Sequence, residues 1–289
     1  MHKYLRAIGF SNINYKNQAE KIIDDCVLHP DSSECYKYNP DASFHQYDKK
    51  LFDDVGITIL GEWNDNKVPE YDRILPVLFG RGISTKEYIE VEALSDYEGY
   101  AGICEDPRVE ISLIFHIQNV IQVKNALEEK KIGEITTTFS GLSLGGKVLL
   151  PVTKNKGQIE TRKKIAATRN NLVAQARKGD EKAIEILTLS DIDTYTDIAK
   201  RIVKEDVFSL VDSFFMPYGI ESDKYSILGE IVECYELVNP ISREKLYKLR
   251  INCNDLEIDI CMNQEDLLGE PAVGRRFKGN IWLQGRINL

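Results

Sequence analysis

From Phe277 to Leu289 every second residue is apolar or small: Phe277, Gly279, Ile281, Leu283, Gly285, Ile287 and Leu289. The alternate positions read Arg276, Lys278, Asn280, Trp282, Gln284, Arg286 and Asn288. A period of two predicts a strand with one face on a core and the other polar. It also leaves a tryptophan on the charged face, which needs an explanation. The stretch YKLRINCNDLEIDICM predicts a hairpin turning at Asn254-Asp255, since both residue types tolerate positive φ. A two-residue turn pairs Cys253 with Leu256, Ile251 with Ile258, Leu249 with Ile260 and Tyr247 with Met262, all on one apolar face. The other face pairs Asn252 with Glu257, Arg250 with Asp259 and Lys248 with Cys261. Opposite charges falling directly across from each other support that register. Cys253 and Cys261 then lie on opposite faces. With ILGEIVECYELV before and the final strand after, residues 224–289 are expected to form a small antiparallel β-barrel-like module, OB- or SH3-like. Glycines 274, 279 and 285 suit bends at barrel corners.

The pattern differs in the two earlier segments. In YKNQAEKIIDDCVL, residues Ala19, Ile22, Ile23, Cys26 and Val27 recur at helical spacing, and Pro30 ends the helix. HPDSSECYKYNPD reads as a polar loop. Strands are predicted at 55–63, 73–79, 87–94, 109–118, 134–142 and 147–152, with one further helix in NVIQVKNALEEKK. Residues 1–152 are therefore expected to be a strand-rich α+β domain. Residues 153–223 read as a helical segment packing on its neighbours. QIETRKKIAATRNNLVAQARKGD ends at Gly179, and Asp180 is placed to cap EKAIEILTL. TYTDIAKRIVKED carries an apolar face of Tyr195, Ile198, Ala199, Ile202 and Val203. DVFSLVDSFFMPYG carries another of Val207, Leu210, Val211, Phe214 and Phe215, stopped by Pro217 and Gly219.

Composition adds limits. At 289 residues, 43% hydrophobic and 29% charged, the chain can bury a core without disulfides. Its apolar runs are too short to span a bilayer, and MHKYLRAIGFSN lacks the pattern of a signal peptide. A cytoplasmic protein with six free cysteines is expected. The net charge of −9 argues against general nucleic-acid or membrane binding. The charge is uneven, however. Residues 1–150 hold 16 basic and 24 acidic residues, whereas 151–178 hold eight basic residues against Glu160 alone. From Pro271 onward there are four basic residues and no acidic side chain. These segments either ion-pair within the chain or select an anionic partner.

No motif assembles a catalytic centre. GLSLGGKV resembles a phosphate-binding loop, but Val148 replaces the metal-binding hydroxyl and a strand follows where a helix is needed. A hairpin turning at Gly145-Gly146 accounts for the glycines. The four histidines, His2, His29, His45 and His116, do not cluster in sequence. Cys104 has acidic neighbours, which work against a nucleophile, and a Cys104/His116 pair depends on geometry that spacing does not supply. Asp24-Asp25 and Asp53-Asp54 lack calcium-loop spacing. No cofactor and no metal site is expected.

Trp282 has three readings. It packs on another part of the protein, the helical segment being the expected cover, with Arg276 and Arg286 pairing to acids there. It is a stacking platform, with Arg276, Lys278 and Arg286 contacting phosphate or carboxylate of a single-stranded nucleic acid or anionic ligand. Or it anchors a subunit interface. MHKYLRAIGFS, EDVFSLVDSFFMPYG and GEPAVGRRFKGNIWLQG resemble a family of uncharacterised, domain-of-unknown-function proteins from clostridial-type bacteria, across the whole chain. The resemblance implies a bacterial cytoplasmic protein of about this length and brings no activity, cofactor or site residue. The reading that follows is a non-enzymatic binding or interaction protein, with a protein partner or homo-oligomer. Its alternatives are an enzyme with a site around 98–118, and nucleic-acid or anion binding by the barrel.

Overall fold

The computed structural model describes residues 2–11, 18–40, 42–64, 70–93, 100–109, 111–129, 135–151, 168–169, 171–176, 178–190 and 211–289. A 3-10 helix (Lys3–Ile8) precedes α1 (Gln18–Leu28), β1 (Ser32–Asn39), β2 (Ala42–Phe52), β3 (Val55–Asn64) and β4 (Glu70–Leu78). Then come β5 (Ile89–Ala93), β6 (Tyr100–Cys104), β7 (Leu113–Ile117), α2 (Val120–Glu129) and β8 (Thr136–Leu149). The remaining strands are β9 (Phe214–Pro217), β10 (Lys224–Val238), β11 (Lys245–Cys253), β12 (Leu256–Asn263), β13 (Leu267–Leu268) and β14 (Arg276–Asn288). The fold is α+β and strand-rich.

Strands β8, β12, β11, β10 and β14 follow one another, and a further β8–β14 pairing closes them into a five-stranded barrel. Four of its pairings are antiparallel and one, β12–β8, is parallel. The β11–β12 hairpin has the predicted register at all seven predicted pairs, from Tyr247↔Met262 to Cys253↔Leu256, and continues to Leu246↔Asn263. Its turn residues Asn254 and Asp255 have φ of 54° and 64°. The apolar rows of β11, β12 and β14 fill the barrel, with Phe277, Ile281, Leu283, Leu249, Ile251, Ile258 and Ile260 buried together. On the outer face Arg250 bonds Glu257 at 2.7 Å and lies 3.5 Å from Asp259, and Arg81 joins Asp259 to Glu233. Strands β7, β6 and β5 extend the barrel wall beyond β14.

Strands β1 to β4 form a separate four-stranded sheet. A second core joins it to the 3-10 helix, α1 and the outside of the barrel, through Tyr4, Leu5, Ile8, Cys26, Ile57, Ile59, Leu142, Cys261 and Trp282. A polar seam fastens the two parts. Gln118 Nε2 donates to the Leu78 carbonyl at 2.8 Å, Gln284 Nε2 to that of Pro76 at 2.9 Å, and Ser140 Oγ to that of Leu78 at 2.6 Å.

Several expectations need correction. The chain does not turn at Gly145-Gly146, because β8 runs unbroken from Thr136 to Leu149. Gly146 answers to packing, whereas a Cβ on Gly145 would meet nothing within 4 Å: Gly146 lies opposite Gly279, and a Cβ on either of these two would sit 2.4 Å from the Phe277 ring. The polar stretch expected as a loop forms β1, an edge strand that needs only one half-buried row, which its alternating exposure supplies. Phe214 and Phe215 belong to β9 and not to a helix: Phe215 enters the barrel core while Met216 faces out. The first residues of that expected helix, 206–210, and the stripe from Tyr195 to Val203 lie outside the described residues. The cap expected between helices is present. Gly179 has φ +87° and donates to the Ala176 carbonyl at 2.9 Å, while Asp180 Oδ1 accepts from the backbone of Lys182 at 3.0 Å.

Candidate functional site

Trp282 lies on the outer wall of the barrel and is only 5% exposed. Its cover comes from two directions. The 3-10 helix brings Tyr4, stacked at 5.3 Å between ring centroids, and His2 just ahead of it, at 4.5 Å. His116 of β7 lies 5.2 Å away. The indole Nε1–H donates to Asp223 Oδ2 at 2.6 Å, and Leu283 N–H donates to the Asp223 carbonyl at 2.9 Å. A tryptophan therefore suits the polar face: the ring fills an apolar gap, and its single donor holds a carboxylate.

Burial sets the protonation of the stack. Burial, then Lys3 and Lys224, lower the His2 pKa to about 4. Burial, then His2 and Arg73, lower that of His116 to about 4. Burial raises Tyr4 to about 12 and raises Asp223 above the usual carboxylate range, against the bond from Trp282. His2 Nδ1 is buried without a hydrogen-bond partner. Two histidines held neutral and a phenol held protonated are poor acid–base catalysts at pH 7.

Asp223 is the root of a tight turn between β9 and β10. Tyr218 N–H donates to the Lys224 carbonyl at 2.8 Å, and Lys224 pairs with Glu221, which also lies 3.7 Å from Lys3. The anchored turn presents apolar side chains to solvent. Met216 is 55% exposed, Tyr218 49% and Ile220 fully, at 102%. The spacing in DVFSLVDSFFMPYG predicts a helix ending here, whereas the alternation of Phe215 and Met216 is the signal for a strand with one free face.

The cations expected to accompany Trp282 are spread out and engaged. Arg276 is buried and bonds the carbonyls of Leu150 at 3.0 Å and Val211 at 2.9 Å, so it joins the two ends of the chain flanking 152–210. Lys278 is half-buried on the same wall. Arg286 lies 4.0 Å from Asp48. Ten residues separate Arg276 from Arg286, roughly 33 Å along a strand, more than one small anion spans.

Cys104 and His116 do not meet. Cys104 pairs with Leu113 and His116 with Ala101, which places the two side chains on opposite faces. Cys104 lies in the barrel-side core, and burial, then Asp106, push its thiol up to about 12. Among the described residues no group of three metal-ligating side chains comes together, and no helix is long and apolar enough to cross a membrane.

No curated protein and no solved structure matches the chain. A family model does: that of "Domain of unknown function, E. rectale Gene description (DUF3881)" covers residues 5–285, as the resemblance to a clostridial-type family implied, and the chain belongs to that family.

Proposed function

We propose that this chain is a non-enzymatic interaction protein of the bacterial cytoplasm, and that it assembles through the β9–β10 turn. The observation that carries the reading is the run of Met216, Tyr218 and Ile220, three large apolar side chains exposed within five residues on a turn anchored by Trp282. Exposed apolar groups held on a rigid support mark interaction sites. Among the described residues β9 pairs with β10 alone, which leaves its other edge for a partner. The rim carries Lys3, Glu221 and Lys224, charges of both signs. Such a rim is complementary to itself under a two-fold axis, so the first partner is a second copy of the chain.

The alternatives draw less support. An enzyme site around 98–118 would have to use Cys104 and Asp106, but the first is buried on the far face from His116 and the second is held by Arg108 at 2.8 Å. Nucleic-acid stacking would need an open indole face, and His2, Tyr4 and His116 crowd the ring. A photo-crosslinking residue in place of Ile220 tests the proposal. Illumination is expected to give a covalent dimer of the chain, crosslinked within 214–224. Crosslinks absent at concentrations up to those of the cell, or scattered over the surface, would count against it.

A further inference from the structure

Of the six cysteines Cys35 alone is exposed. Burial pushes the thiols of Cys26, Cys104, Cys253 and Cys261 up to about 12 and raises that of half-buried Cys234. Cys35 stands on β1 directly across from His45 on β2. Its Sγ lies 3.6 Å from His45 Nε2, hydrogen-bonding distance for sulfur. Ser43 Oγ lies 2.8 Å from the same nitrogen, and Tyr47 Oη lies 3.4 Å from His45 Nδ1. Ser43, His45 and Tyr47 share one face of β2 by the period of two. With the ring proton on Nδ1 directed at Tyr47 Oη, Nε2 is the acceptor that the Ser43 hydroxyl and the Cys35 thiol share. Lys37 follows Cys35 by two residues on the same exposed row, about 7 Å away.

A nucleophile, a base within reach and a third group orienting the base form the arrangement that activates thiols. We propose that Cys35 is a reactive thiol served by His45 as general base, and that it takes low-molecular-weight disulfides to form a mixed disulfide. In the step, Cys35 gives its proton to His45 Nε2 and its sulfur attacks one sulfur of the disulfide. A new S–S bond forms and the old one breaks. The departing thiolate takes the proton from the imidazolium and leaves as a thiol. Cys35 is oxidised and one half of the small disulfide is reduced, so no other reagent enters. Burial lowers the His45 pKa, so at pH 7 the ring is neutral and Nε2 is able to accept. The open position of Cys35 on an edge strand admits a small reagent, which the cores deny to the four buried thiols.

The test uses the full chain under native conditions with 2-hydroxyethyl disulfide, an uncharged probe, and peptide mass spectrometry to follow each cysteine. Cys35 is expected to react first, and Cys35→Ser to remove the fast phase. The rate at Cys35 is expected to fall about a hundredfold in His45→Gln, the low end of what a general base contributes. A peptide of residues 32–39, which carries the same thiol without His45, is expected to react as slowly as that variant. This comparison holds even if His45→Gln disturbs the sheet. A native Cys35 that reacts no faster than the peptide, or a folded His45→Gln protein that reacts at the unsubstituted rate, would overturn the proposal.

Discussion

At the scale of single residues the account turns on Trp282. A strand pattern placed it on a polar face, and the cost of exposing an indole indicated that something covers it. What covers it was not legible. Tyr4 and Asp223 lie hundreds and tens of residues away in sequence, and no periodicity encodes such contacts. The expected cover was the helical segment 153–223; the 3-10 helix supplies part of the cover, and the end of that segment supplies part, as the β9–β10 turn that carries Asp223. In a Trp63→Phe background the remaining fluorescence, from Trp282, is expected to resist acrylamide quenching, and ready quenching would contradict its burial. Trp282→Phe keeps the ring but strips Asp223 of its donor, and is expected to cost about 1–3 kcal/mol in denaturant unfolding. The histidines make a second residue-scale prediction. Their folded pKa values, about 4, lie below the ordinary 6.5, so the unfolded chain binds more protons between those values. Their contribution to stability is full above pH 6.5 and is lost as pH falls toward 4, with a ceiling of about 3 kcal/mol for each. Asp223, with its raised pKa, has the opposite sign in its own window, favouring the fold at low pH. Thermal unfolding of His116→Phe across pH 4–7 is expected to show a flatter acid limb than the unsubstituted chain. An unchanged limb would mean that the stack does not hold the proton off.

At the scale of elements, legibility followed local pairing. The β11–β12 hairpin was readable to the residue, because an apolar row, a turn and the Arg250–Asp259 charge pair all specify one register. The glycines of β8 misled for the opposite reason. A glycine pair signals either a turn or a close approach, and here the approach is to Gly146 alone, by the ring of Phe277 on another strand. Gly146→Ala is therefore expected to destabilise the barrel by about 1–3 kcal/mol, as overpacking does. An Ala variant of unchanged stability would restore the turn reading. Arg276 shows how a residue proposed for binding serves an element instead. Its guanidinium holds the carbonyls of Leu150, just after β8, and of Val211, just before β9. Arg276→Gln is expected to speed proteolytic cleavage near 151 and 211 several-fold while the β11–β12 hairpin stays protected. Equal cleavage rates would show that the clamp is dispensable.

At the scale of the whole molecule, the small barrel read from 224–289 is real, but its fifth strand is β8, from 136–149. That closure was not legible, because the parallel β8–β12 contact joins segments more than a hundred residues apart. It also makes the architecture coherent: the barrel's inner face holds one core, and its outer face holds a second, shared with the four-stranded sheet and the 3-10 helix. Trp282 belongs to that second core, and through Asp223 it fixes the turn that shows Met216, Tyr218 and Ile220 to solvent. The central claim is that this turn is where the protein assembles with a second copy of itself. Sedimentation equilibrium of the full chain, beside a Met216→Asp, Ile220→Asp double variant, tests it most directly. The account predicts a concentration-dependent dimer for the unsubstituted chain and a monomer for the folded variant. A monomer at every concentration, or a dimer that the two substitutions leave intact, would contradict it.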